Sequence, residues 1–148
     1  MLTSNTFGRD GNHVPITTFG FTSTKEITFA SATTGAIDTT TLFTVTGLCA
    51  VKIIAVCSAD LTSSGAATIE VGIAGNTAGL IAQTTATNID KGEIWLDNSP
   101  ATLETFPVNY FANSAQNIIQ TIATETISGG TLKYYCFWLP LSEDGSVA

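Results

Sequence analysis

Along this chain apolar and polar residues alternate in short runs with a period of two, the signature of β-strands with one face buried. "KEITFA" sets Lys25, Ile27 and Phe29 against Glu26, Thr28 and Ala30. "TTLFTVTG" follows and ends at Gly47. The longest apolar run, "LCAVKIIAVCSADL", puts Cys49, Val51, Ile53, Ala55 and Cys57 on one face. Ala50, Ile54 and Val56 lie on the other, interrupted by Lys52. Both faces are mostly dry, so it predicts a central strand.

"ATIEVGIAG" returns with Ile69, Val71 and Ile73 inward and Thr68 and Glu70 outward, and it reads as a hairpin partner of that central strand. "LIAQTT" and "GEIWLD" predict two more strands around the turn residues of "NIDKG". "NSPATLETFPVNYFANSAQ", with Pro100 and Pro107, reads as a connection with one helical turn. The stretch from Asn117 reads as a second hairpin around "ISGGT". Its last strand carries Leu132, Tyr134, Cys136 and Trp138 on one face and Tyr135, Phe137 and Leu139 on the other. A strand apolar on both faces lies inside a sandwich and also under a loop, the N-terminal arm or a neighbouring subunit.

About eight strands with closely spaced turn signals predict an all-β fold, an antiparallel β-sandwich of jelly-roll-like form, with a closed barrel as the alternative. Residues 1–24 read as an extended N-terminal arm, 25–141 as the sandwich domain and 142–148 as a polar C-terminal tail. The 148 residues fit one domain able to bury a core without disulfide or metal staples.

Composition changes this picture in one respect. Charged residues make up only 11%, whereas Thr and Ser supply 26 and 11 positions, so hydroxyls must wet the surface. So few charges offer little protection against association, and partners are expected to cover part of the molecule. The net charge of −7, with basic residues scattered at 9, 25, 52, 91 and 133, leaves no patch to neutralise a run of phosphates or an anionic bilayer. Lys52 breaks the apolar run well short of a membrane span, and the N-terminus carries no secretory pattern. Nucleic acid and membrane are therefore not expected partners, and synthesis in a cytoplasm is.

Cys49 and Cys57 lie eight apart in one strand, about 26 Å at ~3.3 Å per residue, far beyond disulfide reach. Three isolated cysteines and one histidine also lack zinc spacing. Buried free thiols are expected, with no cofactor and no metal.

Candidate chemistry is sparse. "GIAGNTAG" has glycines but no Lys-Ser/Thr ending and no following helix, so it reads as a turn rather than a phosphate loop. Asp90, Glu93 and Asp97 around Trp95 carry the residue types of a glycosidase or a sugar site. With Asp60 and Asn88 they could be imagined around Ca²⁺, although no calcium-loop spacing exists. Solvated acids beside a structural Trp95 are the stronger reading. "FGRDGNHVPI" gathers Arg9, Asp10, Asn12 and His13, but a general base needs a rigid packed shell, and no nucleophile elbow occurs. No enzyme activity is expected.

"RDGNHVP", "LTSSGAATIEVGIAGNTAGLIAQTTATNIDKGEIW" and "YYCFWLPLSEDGSVA" together resemble small virion structural proteins of tailed bacteriophages. Arg9, Asp10, Asn12, Val14 and Pro15 carry the N-terminal likeness. Cys136, Trp138, Pro140, Leu141, Ser142, Asp144 and Gly145 carry the C-terminal one. The resemblance implies a non-enzymatic capsid decoration or cementing protein located in the virion. It would bind the major capsid protein or other virion subunits as a homo-oligomer, with a trimer favoured. The interface is expected at Phe7, Arg9, Asp10, His13, Val14, Pro15, Tyr135, Phe137 and Trp138. The alternative is a tail- or fibre-associated carbohydrate-binding adhesin, with Trp95, Tyr110 and Tyr135 as stacking rings.

Overall fold

A computed structural model describes residues 20–107 and 109–148. Among the described residues the regular structure is nearly all strand: β1 (Phe21–Thr28), β2 (Thr39–Phe43), β3 (Val45–Thr46), β4 (Leu48–Thr62), β5 (Thr68–Ile73), β6 (Asn76–Thr85), β7 (Ile94–Trp95), β8 (Phe111–Ser114), β9 (Ile118–Ala123), β10 (Gly129–Pro140) and β11 (Ser146–Val147). Eight of these eleven have four residues or more, since β3, β7 and β11 have two each. The expected helical turn in the 98–116 connection is absent among the described residues. A 3₁₀ turn occurs instead at Ala86–Asn88.

One sheet runs β1-β10-β4-β7, with β8 also on β4. The other runs β2-β9-β5-β6, and all pairings are antiparallel. The pairs β1 with β10, β2 with β9, β4 with β7 and β8, and β5 with β6 describe one long antiparallel hairpin whose tip is the β5–β6 turn. Folding that hairpin over so that β10 also meets β4 and β9 also meets β5 produces the two sheets of an antiparallel sandwich.

A single core lies between them. Cys49, Val51, Ile53, Ala55 and Cys57 of β4 face Ile69 and Val71 of β5 and Ile118 and Ile122 of β9, all buried. Two polar contacts join the sheets inside this core. Tyr134 donates its hydroxyl to Gln120 Oε1, and Trp95 donates its indole N–H to Thr84 Oγ1 at 2.8 Å. Buried Tyr and Trp need such partners.

Both expected hairpins need correction. β4 and β5 are not a hairpin, and neither are β9 and β10. In each pair the two strands lie in opposite sheets, joined by a loop that crosses the sandwich. Period-two burial gives both strands one inward face whether they are neighbours or stand opposite, so the pattern could not separate the two cases. The hairpin that does form joins β5 to β6 through Ala74 and Gly75, within the "GIAGNTAG" turn. There a Cβ on Gly72 would sit 2.0 Å from Asn76 O, so the backbone approach requires glycine.

The polar C-terminal tail is also corrected. Ser146 pairs with Thr46 and Val147 with Val45, and Ala148 exchanges backbone bonds with Thr44 at 2.7 and 2.9 Å. Val147 is buried, so one apolar side chain among polar neighbours was enough to dock the segment. At the N-terminal side, β1 begins at Phe21 within the segment read as arm, so the strand starts four residues before Lys25.

Candidate functional site

The outward face of the β1-β10-β4 sheet is where β10 presents its second apolar stripe. Tyr135 lies opposite Ile54 of β4 and Phe137 opposite Lys52, while Thr24 and Thr22 of β1 stand on their other side. The described residues between β7 and β8 (96–107 and 109–110) leave the sheet and cover part of this face. Phe106 meets Phe137 edge-on at 6.5 Å between ring centroids. Among the covers that the sequence allowed for β10, the loop is therefore one that is present.

Lys52 interrupts the apolar run of β4, yet it is only 7% exposed. It survives there because its ammonium donates to Pro107 O at 3.1 Å and stands 4.5 Å from the centre of the Tyr110 ring. A buried cation is tolerated when acceptors and an aromatic face replace water. Burial raises the Tyr110 hydroxyl pKa above its usual value. Lys133 stands similarly over Tyr135, at 5.5 Å.

Beside Lys52 a cavity of about 210 Å³ opens, lined by Val51, Ile53, Leu80, Leu96, Tyr110 and Phe111, with Pro107, Asn109 and Gly79 also at its wall. The cavity lies where β7 ends and β8 begins on the edge of β4. Its apolar lining with a few convergent polar groups is the usual composition of a small-molecule site. Nothing in the local sequence pattern signalled it, because its wall is assembled from β4, β6 and both ends of the 96–110 excursion.

At the end of the same face, Leu48 and Leu139 are 37% and 36% exposed and Leu141 is 54% exposed. Leu141 donates its N–H to Leu48 O at 2.8 Å, so the three side chains are held near one another.

The expected interface residues divide. Phe7, Arg9, Asp10, His13, Val14 and Pro15 lie outside the described residues. Tyr135 and Phe137 point outward and are half-buried. Trp138 does not join them. It is an inward residue at the end of the core, stacked on Phe21 at 4.7 Å, and it donates to Ser23 Oγ at 3.1 Å. The alternation of β10 places it with Tyr134 and Cys136, so it is set aside as a contact residue.

Trp95 is likewise corrected as a glycan-stacking ring. It is 0% exposed, edge-on to Tyr134, and its only polar atom is spent on Thr84. Of the proposed stacking residues, Tyr110 lines the cavity and Tyr135 lies on the outer face.

The acids near Trp95 hold turns. Asp60 accepts from Lys91 N at 2.6 Å, Glu93 from Asp90 N at 2.9 Å and Asp97 from Ser99 N at 2.7 Å. Among the described residues no group of three or more His, Cys, Asp or Glu is placed to hold a metal ion. Cys49, Cys57 and Cys136 are buried free thiols. Burial raises all three pKa values, Cys136 to about 12, and nearby Asp60, Asp90 and Glu93 add to the rise at Cys57. Thiols held neutral in this way are poor nucleophiles. No helix of the described residues is long and apolar enough to cross a membrane.

Comparison of the chain with protein families, with curated proteins and with solved structures returns no match.

Proposed function

We propose that this chain is a non-enzymatic virion structural protein of a tailed bacteriophage, a capsid decoration or cementing subunit that binds the outer surface of the head. The resemblance of its N-terminal, middle and C-terminal segments to such proteins motivates the reading. The observation that carries it is the outward face of β10, where Tyr135, Phe137 and Leu139 continue into the exposed Leu48 and Leu141. On a molecule with so few charges, an apolar strip of this kind is a surface for a neighbour. Particle symmetry multiplies weak contacts, so each subunit needs only modest affinity.

In this reading residues 1–20 contact the underlying shell. The test is incorporation of a 1–20 deletion into particles, which removes nothing from β1. Loss of incorporation with an unchanged melting temperature supports the arm as the contact, whereas undiminished incorporation would overturn it.

A second reading is a tail- or fibre-associated adhesin for carbohydrate. The cavity beside Tyr110 favours it, because an aromatic residue and the polar residues Asn109 and Lys52 line it together. A glycan array without hits, together with uniform antibody labelling of heads, would exclude it.

A further inference from the structure

β7 and β8 run antiparallel to β4 along the same edge, and their registers are collinear. Trp95 lies opposite Ala55 and Phe111 opposite Val51. They are two pieces of one strand, broken by the 96–110 excursion, and the position left open is the one opposite Ile53.

In an antiparallel ladder, alternate residues direct both backbone groups to the same side. Cys57 shows which side this is: its N–H donates to Glu93 O and its C=O accepts from Gly92 N–H, each at 2.9 Å, across the β7 edge. Counting back by twos, Ala55, Ile53 and Val51 direct their groups the same way. Ala55 and Val51 meet β7 and β8. Ile53 is opposite neither, and among the described residues no hydrogen bond reaches its backbone from this edge. Ile53 is 2% exposed, and the 210 Å³ cavity lies against it.

A buried N–H and C=O require partners. The two groups of one extended residue lie side by side, so a hydroxyl, which both accepts and donates, satisfies the pair. Tyr110, Asn109 and Lys52 line the same cavity, with Leu80, Leu96 and Phe111 as an apolar wall. A ligand that carries hydroxyls on one side and C–H groups on the other fits this lining, and the volume admits a single ring rather than a drug-sized molecule.

The geometry points to a subsite for one neutral hexopyranose unit, with a ring hydroxyl on the backbone of Ile53 and a C–H face against Tyr110. This inference rests on the adhesin reading only for the origin of the sugar. The site itself is defined by the break in the strand.

The test is a titration of the full-length ¹⁵N-labelled chain with methyl glucopyranoside, methyl galactopyranoside and methyl mannopyranoside, read at the Ile53 amide. At least one glycoside is expected to shift Ile53 saturably. Tyr110→Ala and Asn109→Ala should each weaken that binding about tenfold, whereas Tyr135→Ala should leave it unchanged. The spectra themselves report whether each variant is folded, and Asn109 is exposed, so its variant keeps the test open should Tyr110→Ala unfold.

An Ile53 amide that none of the three glycosides moves overturns the site. So does an Ile53 amide as protected from hydrogen exchange as Val51 and Ala55 in the free protein. Tighter binding of the capped dipeptide N-acetyl-alanine-N-methylamide would also overturn it, by assigning the break to a peptide. Glycan-array binding that survives in Tyr110→Ala, with Ile53 unmoved, leaves the adhesin reading intact and removes only this site.

Discussion

At the scale of single residues, the central polar contact of the core is the one between Tyr134 and Gln120. Both side chains are buried, and Gln120 Nε2 has no hydrogen-bond partner. Removing the hydroxyl with Tyr134→Phe leaves the whole Gln120 amide unsatisfied, which should cost about 1–3 kcal/mol in urea unfolding. Adding Gln120→Leu should restore most of that loss, because an apolar pair needs no partner. The thiols give a pH prediction. Cys136 rises to about 12 from the usual 9.0 because burial disfavours the thiolate, with Cys49 adding to the rise. A group whose pKa is raised by folding stabilises the fold fully below its unfolded value, and that contribution disappears as pH climbs through the folded one. The urea midpoint should therefore fall as pH rises from about 9 to about 12. Tyr134, raised well above its ordinary 10.0 by burial, steepens the alkaline end. A flat profile would contradict the burial of these groups.

At the scale of elements, β11 and the break between β7 and β8 are informative because both are short. Two residues form β11, yet Val147 is buried and the neighbouring Ala148 exchanges two bonds with Thr44. Gly47, at φ +63°, closes the same corner: a Cβ there would lie 2.4 Å from Asp144 Oδ1. Deleting Ser146–Ala148 should lower stability by about 2–4 kcal/mol, the sum of one buried valine and a few backbone bonds, as read by chemical unfolding. A loss below the error of the measurement would mean that the segment only rests on the domain.

At the scale of the whole molecule, the open side of the sandwich is guarded by Lys25. It points inward from the edge strand β1 and donates to Thr41 O of β2 at 2.7 Å, which bridges the two sheets. An inward charge on an edge strand opposes pairing with another chain. Lys25→Val should therefore increase association, seen as larger species in light scattering, with little change in the monomer's circular dichroism. The apolar surface at Leu48, Leu139 and Leu141 lies on a different face, so association there need not involve the guarded edge. Leu139→Asp paired with Leu141→Asp should reduce incorporation into particles while the domain stays folded.

The alternation of Ile27, Val51, Ile69 and Leu132 with polar neighbours by itself determined the longer strands, the all-β class and their core residues, but not β8 within the stretch read as a connection or β11 within the polar tail. A period of two specifies which side of a strand is dry, and that is a local property. It also determined that β10 has two apolar faces and that Cys49 and Cys57 are out of disulfide reach, whereas Cys136 comes near Cys49 only in the fold. Tertiary structure alone decided which strands are neighbours and which stand opposite, and so overruled both expected hairpins. It sealed Trp95 and turned Trp138 inward, because burial depends on what the opposite sheet supplies. It also created the cavity, whose wall joins residues as far apart in sequence as Val51 and Phe111. No local pattern encodes a gap between two pieces of a strand, since the gap exists only once both have paired with β4.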